Sequence, residues 1–114
     1  VSLHIPLSPE TFHLLNRKNL TLLKNTSLLI NTSRGEIIDE KFLIQLLRKE
    51  KIFGAGLDVY EGEPDVNPAL LKLQNVFLLP HIGSATIEAR SGMAELCAKN
   101  IIAVLSGRKA ISPV

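Results

Sequence analysis

An arginine, two acids and a histidine each stand at the end of an apolar run in this 114-residue sequence. Arg34 follows Asn31-Thr32-Ser33, Asp58 closes Gly54-Ala55-Gly56-Leu57, Glu63 comes shortly after it, and His81 follows Leu78-Leu79-Pro80. The planar fork of a guanidinium can grip the carboxylate and carbonyl oxygens of a 2-oxo acid. An imidazole can protonate the carbonyl oxygen as hydride arrives, and take the proton back in the reverse direction. A carboxylate such as Glu63 beside that imidazole favours its charged form. The chemistry these groups would serve together is reduction of a 2-oxo acid. Taken singly, each has a plainer explanation: an exposed charge, a solvated loop acid, a structural strand-end histidine. Asp58 is the hardest to explain plainly, because a carboxylate inside an apolar stretch is costly unless something pairs with it. A carboxamide donor would answer that need.

These groups act together only if the chain brings them to one edge. Val1-Ser2-Leu3-His4-Ile5 alternates and stops at Pro6, the mark of a strand. Ser8-Pro9-Glu10 carries a cap, a first-turn proline and an acid suited to the positive end of a short helix. A second short helical piece is predicted over residues 16–24. Ser27 to Asn31 reads as a strand buried on both faces. Asp39 is the predicted N-cap of a helix running from Glu40 to about Lys49, with Ile38 and Leu43 as its hydrophobic staple. Phe53 to Val59 reads as a third strand whose glycines admit another backbone. Glu61 to Pro68 is loop, and Asn75 to Leu79 is a fourth strand halted by Pro80. From about Thr86 to Ser106, apolar residues including Met93, Leu96, Cys97 and Ile101 recur at helical spacing, a stripe expected to pack in the core. This order is the grammar of a parallel sheet with right-handed crossovers, where ligands bind beyond the carboxyl ends of the strands. The four chemically unusual positions all fall there.

Composition narrows the classes. With 46% apolar and 21% charged residues the chain has the makings of a folded core, and mean hydropathy is +0.21. The five-residue apolar run Ile101 to Leu105 is far short of the roughly 18 residues that span a bilayer, so no membrane partner is expected. A net charge of +2 without a basic block argues against nucleic acid. The single cysteine, Cys97, excludes an internal disulfide and is expected to pack in the core; cytoplasmic location is the default. His4, His13 and His81 lack metal-ligand spacing; His4 reads as a strand residue and His13 as an exposed helix residue. Ser84 follows His81 without the G-x-S-x-G elbow a hydrolase would need.

Four stretches in order, Val1-Ser2-Leu3-His4-Ile5-Pro6-Leu7, Leu29-Ile30-Asn31-Thr32-Ser33-Arg34-Gly35, Gly56-Leu57-Asp58-Val59-Tyr60-Glu61-Gly62-Glu63-Pro64 and Leu79-Pro80-His81-Ile82-Gly83-Ser84-Ala85-Thr86, closely resemble the D-isomer-specific 2-hydroxyacid dehydrogenases. The last looks like the glyoxylate and hydroxypyruvate reductase branch. The resemblance implies an α/β chain, the parallel-sheet half of a doubly wound Rossmann-type dinucleotide-binding domain followed by a long C-terminal helix. It implies that Arg34 binds substrate, that His81 is the proton donor and that Glu63, rather than Glu61, is its partner. It further implies that Asp58 meets the nicotinamide carboxamide of NAD or NADP, and that Ile5, Pro6, Thr32, Ser33, Arg34, His81, Gly83 and Ser84 line the cofactor. A small 2-oxo or 2-hydroxy acid is the implied substrate and a homodimer the implied state of the parent protein.

The phosphate-binding glycine loop of that family has no counterpart in the sequence. Gly54-Ala55-Gly56 does not supply it, since Val59 stands where a third glycine would be. The chain is therefore expected to be the C-terminal portion of the domain: strands and crossovers over 1–85, the long helix over 86–106 and a tail over 107–114. A fragment lacking the phosphate-loop half and the substrate domain is expected to be inactive alone, with a mobile tail. A non-enzymatic alternative is a dehydrogenase-like corepressor that senses nucleotide and acts by partner binding.

Overall fold

The computed structural model describes residues 1–113. It divides into two compact units, Val1–His81 and Ile82–Val114, each considered by itself. The first unit is a four-stranded parallel sheet in the order β1-β2-β3-β4: β1 Ser2–Leu3, β2 Leu28–Asn31, β3 Gly54–Leu57 and β4 Val76–Leu78. Neighbours in sequence are neighbours in space, and the register pairs Leu3 with Asn31, Asn31 with Leu57, and Leu57 with Leu78. The strand ends carrying the candidate residues therefore lie side by side along one edge.

Between β2 and β3 runs α2, Glu40–Arg48, started by the Asp39 carboxylate accepting the Phe42 N–H at 3.0 Å. Its buried face, Leu43, Ile44, Leu46 and Leu47, packs with Leu29, Ala55 and Leu57 of the sheet and with Leu20, Ile37, Ile52 and Leu70. The opposite sheet face is open: Leu28 is 50% and Phe77 69% exposed. The expectation that β2 is buried on both faces is thus corrected, because within this unit α2 and its neighbours cover one face only. Gly54 behaves as its sequence suggested, since a Cβ there would stand 2.7 Å from the Asn75 carbonyl oxygen.

The helix predicted after Ser8 is not formed. Ser8 to Leu14 makes turns, with the Thr11 and Phe12 N–H groups donating to the Ser8 carbonyl, and the chain reverses at His13, whose φ is +47°. The His13 N–H donates to the Glu36 carbonyl instead of continuing a helix, so a tertiary hydrogen bond outcompetes the local start signal. His13 is half-buried, its Nε2 lying 3.2 Å from Glu61 Oε1. The next piece, α1, is one turn, Arg17–Leu20, capped by Asn16.

The second unit opens with a turn over residues 82–85, closed by the Ala85 N–H on the Ile82 carbonyl, and continues as α3, Ile87–Leu105, capped by Thr86. Two expectations fail here. Of the α3 stripe Met93, Leu96, Cys97 and Ile101 are exposed, and the buried residue of the helix is Ala103, which lies outside that stripe. Helical spacing marks which residues share a stripe but does not say whether this chain contains what covers it. The segment after α3 also docks: the Asn100 carboxamide oxygen accepts the Ile111 and Ser112 N–H groups at 2.8 and 3.1 Å, and its nitrogen donates to Ser112 Oγ at 2.8 Å. Gly107, at φ +72°, makes the reversal that allows this. Residue 114 lies outside the described residues.

Candidate active site

Beyond β2 the chain must turn without losing the sheet's hydrogen bonds, and Asn31 makes that turn. Its fully buried carboxamide accepts the Ser33 N–H at 3.0 Å and donates to the Arg34 carbonyl at 2.8 Å. Ser33 Oγ donates to the Leu3 carbonyl at 2.8 Å, stitching the loop to β1. Arg34 is thereby held in extended backbone with its side chain exposed, one guanidinium nitrogen donating to the Ser33 carbonyl at 2.7 Å. Ile5, Pro6, Thr32, Ser33 and Arg34, with His4 and Leu7, line one cleft of about 520 Å³ at the carboxyl ends of β1 and β2. The five residues of this group expected at a cofactor are thus brought together.

Gly35 fixes the depth of the Arg34 loop against the end of β3. A Cβ at Gly35 would lie 1.9 Å from the Tyr60 carbonyl carbon and 2.4 Å from the Glu61 nitrogen, so only glycine fits. Asp58 follows β3, is buried at 3% exposure, and its N–H donates to the Asn31 carbonyl at 3.0 Å. Among the described residues every buried side-chain nitrogen and oxygen has a hydrogen-bond partner. Asp58 therefore sits as a satisfied interior acid directly behind the loop that bears Arg34.

The Glu63 carboxylate bridges two strand ends. Oε1 accepts the Tyr60 N–H at 2.9 Å, and Oε2 lies 2.6 Å from His81 Nδ1. Burial opposes its charge most strongly. The bonds from His81 and the Tyr60 N–H, with the nearby His81 and Arg34 charges, outweigh it and hold the carboxyl below its ordinary range. This acid-to-imidazole bond fixes which His81 nitrogen faces outward: Nε2 is free of the Glu63 contact, and the side chain is about half exposed. The backbone at His81 has φ +54°, a left-handed conformation costly for a non-glycine residue and often kept at functional positions. Glu61, the alternative partner, turns to His13 instead.

Asn31 and Tyr60 were not among the expected site residues, although both are buried and both hold residues that were. A carboxamide inside an apolar strand, at the last position before a turn, is the signal that could have found Asn31. Gly83 and Ser84 lie in the turn that opens the second unit. Among the described residues no cluster of His, Cys, Asp and Glu could hold a metal ion, and no helix is long and apolar enough to cross a membrane.

The site can therefore bind an anion at Arg34 beside a cleft for a flat ring, and present an imidazole oriented by a carboxylate. Residues 1–83 match the family described as D-isomer specific 2-hydroxyacid dehydrogenase, NAD binding domain. A glyoxylate reductase of Thermococcus litoralis is 57% identical over 107 residues, 94% of this chain and 32% of that protein. The NADPH-dependent glyoxylate/hydroxypyruvate reductase of Sinorhizobium meliloti, solved with NADP and malonate, superposes with a TM-score of 0.95 at 40% identity, over 99% of this chain and 35% of that one. D-lactate dehydrogenase of Lactobacillus jensenii, solved with NAD+, gives 0.88 at 31% identity, over 99% of this chain and 38% of that one. This chain thus spans about a third of the length of the relatives it matches. With its four-stranded parallel sheet and its Arg34, Glu63 and His81 at adjacent strand ends, the chain belongs to the D-isomer specific 2-hydroxyacid dehydrogenase family.

Proposed function

We propose that this chain is the C-terminal portion of the dinucleotide-binding domain of an enzyme that reduces a small 2-oxo acid, of the glyoxylate or hydroxypyruvate class, to the D-2-hydroxy acid. The observation that carries the reading is the 2.6 Å contact between Glu63 and His81 on the strand-end edge that also bears Arg34. NADH or NADPH, when bound, supplies the hydride. Ile5, Pro6, Thr32, Ser33 and Arg34 would hold its nicotinamide end, the cleft they line being large enough for a flat ring, and Asp58 would join them from the end of β3.

Arg34 binds the substrate carboxylate and polarises the carbonyl through its remaining guanidinium N–H groups. His81 hands a proton from Nε2 to the carbonyl oxygen and recovers it in the reverse direction. Glu63 keeps Nδ1 bonded, which orients the ring and leaves Nε2 for the substrate oxygen. The parent protein is read as a cytoplasmic homodimer acting on small acids without nucleic acid, and the exposed apolar residues of α3 support its burial against further chain.

The test is an assay on the full-length polypeptide carrying this chain, following NADH and NADPH absorbance with glyoxylate, hydroxypyruvate and pyruvate. Turnover that falls about 10²- to 10⁴-fold in His81→Gln supports the reading. Dinucleotide binding without turnover on any of the three acids overturns it and favours the regulatory alternative.

A further inference from the structure

We propose that Tyr60 is the positioning residue of the Glu63–His81 pair, its hydroxyl holding the end of β4 that carries His81 and its backbone N–H holding the carboxylate that partners it. The inference rests on the proton-transfer reading of that pair.

Tyr60 is the only tyrosine in the chain, and at 5% exposure its ring is part of the core. Its hydroxyl donates to the carbonyl of Leu79, two residues before His81, in a bond shared with the Leu57 carbonyl at 3.2 Å. Burial, with Asp58, Glu63 and Glu40 nearby, keeps the phenol protonated and hence a donor. On the other side, the Tyr60 N–H donates to Glu63 Oε1 at 2.9 Å. The Tyr60–Glu61 peptide is also the surface against which Gly35 packs, next to Arg34. One residue thus touches the supports of all three groups.

The need for such a device follows from the chain path. Glu63 sits in the loop after β3, and His81 lies after β4, past Pro80 and at a positive φ. Neither is inside a regular element, so no ladder of backbone bonds fixes their separation. The sheet bond nearest to His81 is the Leu79 N–H to the Leu57 carbonyl at 2.9 Å. The tyrosine hydroxyl continues that tie beyond the last strand bond. A phenylalanine would fill the same core volume and leave the Leu79 carbonyl without it.

The decisive variant is therefore Tyr60→Phe in the full-length polypeptide, beside Glu63→Gln as the reference for a broken pair. Two readouts are compared with the parent protein: the NMR titration of the His81 ring, and the pH dependence of kcat and KM in the reduction direction. Loosening the pair lets the ring leave its bond to Glu63, so the His81 ring resonances and the rate profile are both expected to depart from the parent's. The fall in kcat is expected to be about 3- to 10-fold with KM little changed, smaller than in Glu63→Gln. A ring titration and rate profile that superpose on the parent's would overturn the proposal, even if thermal stability falls, because a packing role alone predicts only the latter. If the parent turns over no acid, the enzymatic reading has failed, and the ring titration alone still decides whether Tyr60 positions the pair.

Discussion

Glu63 is held charged by two donors, and this makes its contribution pH-dependent in a defined direction. Its folded pKa lies below the ordinary value of 4.5, so the stability it contributes is present above that pH and is lost as pH falls through the depressed value. Glu63→Gln should flatten acid denaturation in that window. The effect should stay below about 1 kcal/mol, because the pair is partly exposed and screened by solvent. Chemical denaturation of both proteins between neutral and acid pH measures it. Glu40 behaves oppositely. Burial raises its pKa, and the Glu61 charge adds to that, against hydrogen bonds from the Glu61 N–H and Asn67. A raised acid favours folding below its unfolded pKa, and the advantage is lost as pH rises through the folded value. Glu40→Gln, which keeps an acceptor for the Glu61 N–H, should be at least as stable as the parent at neutral pH and vary less above 4.5.

The elements matter through their ends. Gly35 allows the Arg34 loop to rest on the Tyr60–Glu61 peptide, backbone on backbone, with no flexible side chain to yield. Gly35→Ala is expected to destabilise by about 3 kcal/mol or more, the upper range for overpacking, and to lower activity through displacement of Arg34. A denaturant midpoint and a KM for the acid test the two parts. Asp39→Ala, which removes the α2 cap, should cost about 1 kcal/mol and leave KM unchanged. The contrast between these two variants separates a support of the site from a support of the core. The same contrast explains what was legible in the residues. The cap at Asp39 and the helix after it were visible because they depend on local side-chain-to-backbone bonds. The helix start at Ser8 misled because His13 reverses the chain to bond Glu36, a partner remote in sequence.

For the whole molecule, the open sheet face and α3 set the behaviour. Phe77, Ile87 and Leu105 are each more than two-thirds exposed, at 69%, 82% and 83%. Apolar surface of this extent is normally covered by another part of an assembly. The 114-residue chain alone is expected to self-associate at micromolar concentration, and Ile87→Lys with Leu105→Glu to reduce that association, as sedimentation velocity would show. If, as proposed, this chain is one portion of a larger dinucleotide-binding domain, it should by itself give no turnover above background on any of the three acids, since part of a site cannot hold hydride donor and acceptor in register.

From its patterns and its likeness to a known family, the sequence indicated the parallel strands, the edge on which chemistry collects, and Arg34, Glu63 and His81 as the candidates to look for there. Strand patterns and turn residues are local, and parallel crossovers leave few ways to arrange them. That Glu63 rather than Glu61 partners His81 was implied by the family resemblance, and the tertiary structure supplies its reason: Glu63 lies across from His81, while Glu61 turns to His13. The tertiary structure alone showed Tyr60 as a support of that site, because a buried hydrogen bond to a carbonyl nineteen residues away leaves no periodicity to read. It also decided that the α3 stripe is bare in this chain and that Asn100 catches the segment beyond α3. Burial is a property of what lies opposite a residue, and that is written elsewhere in the chain.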